Sequence, residues 1–116
     1  MPEINIELIR SICNTLPHVS EDIKWGNDLC FIVGGKMFCV ISLEIPIKVS
    51  VKVTEEEFDQ LTGRQGIIPA PYVARHKWIL VEYISLFSPS QWEHYIRQSY
   101  DLVKAKLPKK KAGELS

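Results

Sequence analysis

The side chains in this sequence that cluster by chemistry are its cations. Arg75-His76-Lys77-Trp78 places three basic or titratable groups beside an indole, with Arg64 and Tyr72 a short way upstream. Guanidinium and aromatic groups together suit phosphate contact and base stacking. Trp78 can equally be a core residue, with Arg75 and Lys77 as its solvated rim. A second group, Lys104, Lys106, Lys109, Lys110 and Lys111, lies in the closing stretch "YDLVKAKLPKKK". Lysines at a helix C-terminus complement its dipole, which is sufficient for Lys104 and Lys106. It does not require three more after Pro108, and phosphate contact suits those.

Other chemistries find less support. Cys13, Cys30 and Cys39 are spaced too widely for the paired ligands of a zinc site, and His18, His76 and His94 are scattered. Gly34-Gly35-Lys36 lacks the first glycine and the following Ser/Thr of a phosphate-binding loop. No Gly-x-Ser-x-Gly occurs, and Cys13 has no base beside it in the sequence. Glu55, Glu56 and Glu57 fan around a helix at about 100° per residue rather than converging on a substrate. The expectation is a protein with no catalytic set, no metal and no cofactor.

These cations must be positioned by a small framework. With 116 residues, 46% of them hydrophobic, the chain has the length and composition of one globular domain. Charge is divided unevenly within a net of zero. Residues 1–60 carry ten acids and five bases, and residues 61–116 carry four acids and nine bases. That leaves room for a basic patch but falls short of the overall basicity of a dedicated nucleic-acid binder. No apolar run approaches the ~18 residues of a membrane span, and "MPEINIELIR" does not read as a signal peptide. A cytoplasmic location away from membranes is expected. The three cysteines then read as small buried hydrophobes.

Residues 5–16 read as an amphipathic helix capped by Asn5, with Ile9, Ile12, Cys13 and Leu16 on its buried stripe and Pro17 after it. "EDIKW" is a short strand. "LCFIV-GG-KMFCVISL" is a hairpin on a type I′ turn at Gly34-Gly35. The turn predicts that residues whose numbers sum to 69 face each other, so that Cys30 opposes Cys39 at about 4.5–5.5 Å between Cα atoms. Such a pair is either two reduced core thiols or a redox-labile bridge. Both faces of the hairpin are apolar, so each needs a cover, whether helices, a loop or a partner subunit.

"IKVSVKV", residues 47–53, alternates like a half-exposed strand, with Lys48, Ser50 and Lys52 on the polar side. Thr54 and Glu57 open a short helix with a capping box. Residues 63–75 form a long loop of the kind that often carries function. "HKWILVEY" is the last strand. Ser88, Pro89 and Gln91 start a final helix whose stripe is Trp92, Ile96, Ser99, Val103 and Leu107. The order α-β-β-β-β-α-β-α is an α+β domain over residues 1–107, an antiparallel sheet with N- and C-terminal helices packed on it, followed by a basic tail at 108–116.

"GGKMF", "PYVARHKWILVE" and "SYDLVKAKLPKKK", in that order over roughly residues 5–111, together resemble the MmcQ/YjbR-like family. The resemblance implies a double-wing, frataxin-like fold and a DNA-binding role, and it supplies no catalytic residues. Many relatives place His and Trp together, whereas here Lys77 stands between His76 and Trp78. Iron binding by likeness to frataxin-like folds would need an acidic first helix, and Glu3 and Glu7 are too few to make one.

Two readings follow. The first is a non-enzymatic DNA-binding module that contacts phosphates through its basic C-terminal half. Its candidate residues are Arg64, Tyr72, Arg75, His76, Lys77 and the five lysines from Lys104 to Lys111. The alternative is a protein- or small-ligand-binding adaptor that uses the second apolar sheet face and the 63–75 loop, with a protein partner or second subunit as its counterpart.

Overall fold

Capping chemistry starts each helix of the computed structural model, which describes residues 5–71 and 73–107. Helix α1 (Ile6–Asn14) begins where the Asn5 side chain accepts from the Leu8 amide at 3.0 Å. Helix α2 (Glu55–Leu61) and helix α3 (Pro89–Ala105) begin at full capping boxes, Thr54 with Glu57 and Ser88 with Gln91. The strands are β1 (Val19–Lys24), β2 (Asp28–Val33), β3 (Lys36–Ser42), β4 (Lys48–Lys52), β5 (Ile67–Pro69) and β6 (Trp78–Val81). They form one antiparallel sheet in the order β1-β2-β3-β4-β6-β5.

This is the expected α+β architecture with one addition. Part of the 63–75 loop is strand β5, which pairs at the sheet edge with β6. Pro69 is tolerated there because an edge strand can lose a ladder donor. The last strand is also shorter than "HKWILVEY", since Ala74–His76 form a 3-10 turn before it.

Alternation sorts the sheet into two faces. Phe31, Cys39, Ile41, Val49, Val51, Ile79 and Val81 point toward α1 and α3 and form the main core. Trp92 and Ile96 enter it from α3, and Ile9 and Cys13 from α1. The Tyr100 hydroxyl donates to the Pro17 carbonyl at 2.7 Å and ties α3 to the end of α1. At the far end of the α3 stripe, Leu107 packs on the hairpin turn. A Cβ on Gly34 would lie 2.5 Å from its Cδ1, and both Gly34 and Gly35 have positive φ as the turn requires.

The hairpin register departs from the sum-69 rule. Val33 pairs with Lys36 and Ile32 with Met37, but Phe31 then pairs with Cys39 and Cys30 with Val40. Phe38 is the extra residue of a β-bulge. Cys30 and Cys39 are therefore not cross-strand neighbours, and they project to opposite faces of the sheet. The cause is that both hairpin faces are apolar, so a slip by one residue exposes nothing to water and pattern alone does not exclude it. Cys39 instead lies beside Cys13 of α1 in the main core. All three cysteines are buried and free. Among the described residues no helix is long and apolar enough to cross a membrane.

Candidate functional site

The face of the sheet away from α1 and α3 carries a cleft of about 660 Å³. Its floor is the second set of alternating residues: Met37 and Val40 of β3, Lys48 and Ser50 of β4, Trp78 and Leu80 of β6. Ala70, Pro71 and Val73 form one wall, and Trp25 stands at the mouth, 71% exposed at positive φ in the β1–β2 turn. The cleft is mainly apolar, with Asp28 and Lys48 as its charged members.

A second hollow of about 450 Å³ shares Met37, Val73 and Trp78 with the first, so the two adjoin along these residues and are treated together as a groove. This end is basic: Lys36, Lys52, His76 and Lys106 line it. Two structural devices bring them together. The seat of Leu107 on Gly34 holds the C-terminal end of α3 over the hairpin turn, which places Lys106 near Lys36. The β3–β4 ladder also stops at Cys39–Val51. Beyond it Ser99 of α3 is inserted, accepting from the Lys52 amide at 2.9 Å and donating to the Phe38 carbonyl at 2.5 Å. The strands part there, and the basic hollow occupies that end.

Lys52 is only 7% exposed, and its Nζ donates to the His76 carbonyl at 2.5 Å. Burial first, and Lys106 second, push its pKa down. The polar side of "IKVSVKV" thus alternates as read, but it faces a cleft rather than open solvent, and Lys52 is buried where half-exposure was expected. Cross-strand pairing sets Lys52 opposite Trp78.

The sequence candidates are distributed unequally. His76 and Lys106 line the basic hollow, and Arg75 adjoins it by donating from Nε to His76 Nε2 at 3.3 Å. Three others lie against aromatic rings. The Arg64 guanidinium is 5.9 Å from the Phe87 ring centre, Lys77 Nζ is 5.0 Å from that of Phe58, and Lys104 Nζ is 5.7 Å from that of Tyr100. Lys77, the residue between His76 and Trp78, has φ 65 and closes the 3-10 turn into β6. It has a backbone duty as well as a charge. Tyr72, Lys109, Lys110 and Lys111 lie outside the described residues.

Trp25, Lys36, Met37 and Lys52 belong to the groove and were not among the sequence candidates. Their signal was present in two separate patterns, the apolar second face of the hairpin and the polar face of "IKVSVKV". Only the strand order shows that these are one surface. Elsewhere, burial first and the Cys39 thiol second push the Cys13 thiol upward, and burial does the same to Cys30. Both are held as thiols rather than as nucleophilic thiolates. Among the described residues no group of three or more His, Cys, Asp or Glu side chains gathers as a metal site would.

Comparison with known proteins places this geometry. A family model described as YjbR matches residues 14–102. The crystal structure of a Deinococcus radiodurans protein with a DUF419 domain is similar at 26% identity and a TM-score of 0.85, covering 96% of this chain and 87% of that one. A Pseudomonas syringae protein structure is similar at 17% identity and a TM-score of 0.69, covering 84% of this chain and 97% of that one, a likeness of fold. A search of curated proteins found no significant match.

Proposed function

The chain belongs to the YjbR family, and from that premise we propose that it is a non-enzymatic binding module whose groove takes a small ligand with an apolar body. One observation carries this reading. The face of the sheet away from α1 and α3 holds a mainly apolar cleft, and a basic hollow lined in part by the end of α3 adjoins it at Met37, Val73 and Trp78. Concave, largely apolar sites with a few placed polar groups are the usual form of small-ligand sites. Ala70, Pro71 and Val73 of the long loop form a wall of this one, as an adaptor using that loop would require.

The test is a fluorescence titration with N-phenyl-1-naphthylamine, a neutral apolar probe. Saturable binding that is lost in Leu80→Lys, a half-buried floor position, and kept in Arg97→Gln, an exposed position on α3 that lines neither hollow, supports the reading. Binding that is unsaturable, or insensitive to Leu80→Lys, overturns it.

A second reading keeps nucleic acid as the ligand. It is favoured by the survival of Arg75, His76 and Lys106 at the basic end, where no carboxylate lines the hollow among the described residues. Phosphate contacts there would make binding of a random-sequence duplex weaken steeply with salt, each contact contributing ~0.9 to the slope of log K against log[salt]. An anisotropy titration that shows no salt dependence removes this reading.

A further inference from the structure

Lys36, Lys52 and Lys106 reach the basic end of the groove from three elements: the start of β3, the end of β4 and the residue capping α3. Among the described residues none of the three joins an ion pair. Lys52 gives one ammonium hydrogen to the His76 carbonyl, which leaves two to donate. His76, which also lines the hollow, accepts from Arg75 at Nε2. Gathering like charges around a buried ammonium is unfavourable unless an anion completes the set.

We infer that this end of the groove is a recognition site for a phosphate monoester, the head of a ligand whose apolar body lies along Trp78 and Met37. The inference rests on the groove reading above and names its ligand class. A monoester carries about −1.5 to −2 charge and three acceptor oxygens, so it can engage three ammonium groups at once. A carboxylate brings one charge and two oxygens. A phosphodiester inside a polymer brings one charge per phosphate and must continue past the site on both sides. Lys52 lines the hollow yet is only 7% exposed, so a group that meets it must enter the hollow, which suits a terminal phosphate better than one inside a polymer. The depressed pKa of Lys52 has the direction expected of a cation without its anion.

Three probes with one body test this: 1-naphthyl phosphate, 1-naphthoate and 1-naphthol, titrated against the full chain. The phosphate is expected to bind about tenfold or more tightly than either other probe, the scale of charge-assisted hydrogen bonds. Lys36→Gln combined with Lys106→Gln, both at exposed positions, should remove most of that advantage and leave 1-naphthol unaffected. Lys52→Met should do the same. Naphthol binding with no gain for the phosphate overturns this inference alone, as does equal binding of naphthoate and phosphate. An unchanged phosphate affinity in the double variant also overturns it. A single-stranded oligonucleotide without a terminal phosphate that competes better than 1-naphthyl phosphate overturns the monoester in favour of a diester backbone. Failure of all three probes removes the groove reading itself.

Discussion

The Ser99 hydroxyl bridges two strands that have lost each other: it donates to the Phe38 carbonyl at 2.5 Å and accepts from the Lys52 amide at 2.9 Å. Phe38 is the bulged residue of β3, and its neighbour Cys39 is the last to pair with β4 on that side. One side chain thus satisfies a donor and an acceptor that the bulge would leave buried. Ser99→Ala unpairs both and is expected to cost about 1–3 kcal/mol in denaturant melts. Hydrogen exchange at the Lys52 amide should accelerate at the same time. A loss under ~0.5 kcal/mol with unchanged exchange would mean that water fills the gap.

Ser99 also shows where reading the sequence stops. It stood in the α3 stripe at helical spacing, and every member of that stripe is buried, as are the stripe residues read for α1. Helix periodicity and capping boxes are local, so Asn5, Thr54 and Ser88 could be placed without knowing the fold. The Gly34-Gly35 turn was legible for the same reason, as was its first pair, Val33–Lys36. The bulge was not. The carbonyl it frees is met by a hydroxyl 61 residues away in sequence, and the slip it causes exchanges one apolar face for another. The groove was half legible. Lys48, Ser50 and Lys52 were assigned to one face, but that this face meets Met37 and Trp78 follows from the order β3-β4-β6, which crosses α2 and β5 in the chain.

Trp92 is completely buried, donates from Nε1 to the Ile84 carbonyl at 2.8 Å and meets Phe87 edge-on with ring centres 4.9 Å apart. Trp92→Ala is expected to cost about 3–5 kcal/mol, the range for large buried aromatics. Urea melts measure it directly. A loss below ~1 kcal/mol would mean that α3 contributes little to holding the sheet.

Arg10 of α1 grips Glu21 of β1 with two hydrogen bonds, Nε to Oε1 at 2.6 Å and Nη2 to Oε2 at 3.1 Å. Those bonds hold the Glu21 carboxyl below its ordinary pKa, with burial working against them. A carboxylate whose folded pKa is lowered contributes stability above its unfolded value, and this is lost as pH falls through the folded value. Thermal melts from neutral to acid pH should therefore show a steeper acid decline for the wild type than for Glu21→Gln. The two should converge once the wild-type carboxyl is protonated. Parallel pH profiles would show that solvent screens the pair.

Lys52 is the residue at which stability and binding pull apart. Its ammonium is desolvated and faces Lys106, and the His76 carbonyl holds one of its hydrogens. The unfolded chain binds that proton more tightly than the folded one. Wild-type stability should therefore rise with pH, from the lowered folded value up to the ordinary lysine value. Lys52→Met keeps the unbranched stem and removes the charge. His76 lies at the exposed rim, where water can replace the lost donor. At neutral pH the variant is expected to equal the wild type in stability or exceed it by about 1 kcal/mol, as when other buried charges are replaced by apolar groups of similar shape. The advantage should shrink as pH rises through the window in which the wild-type ammonium deprotonates. Melts of both proteins from pH 7 upward test this without any ligand. A variant more than ~1 kcal/mol less stable at pH 7 would make the Lys52–His76 bond a structural tie, and the buried ammonium would then be engaged in the fold rather than held ready for an anion.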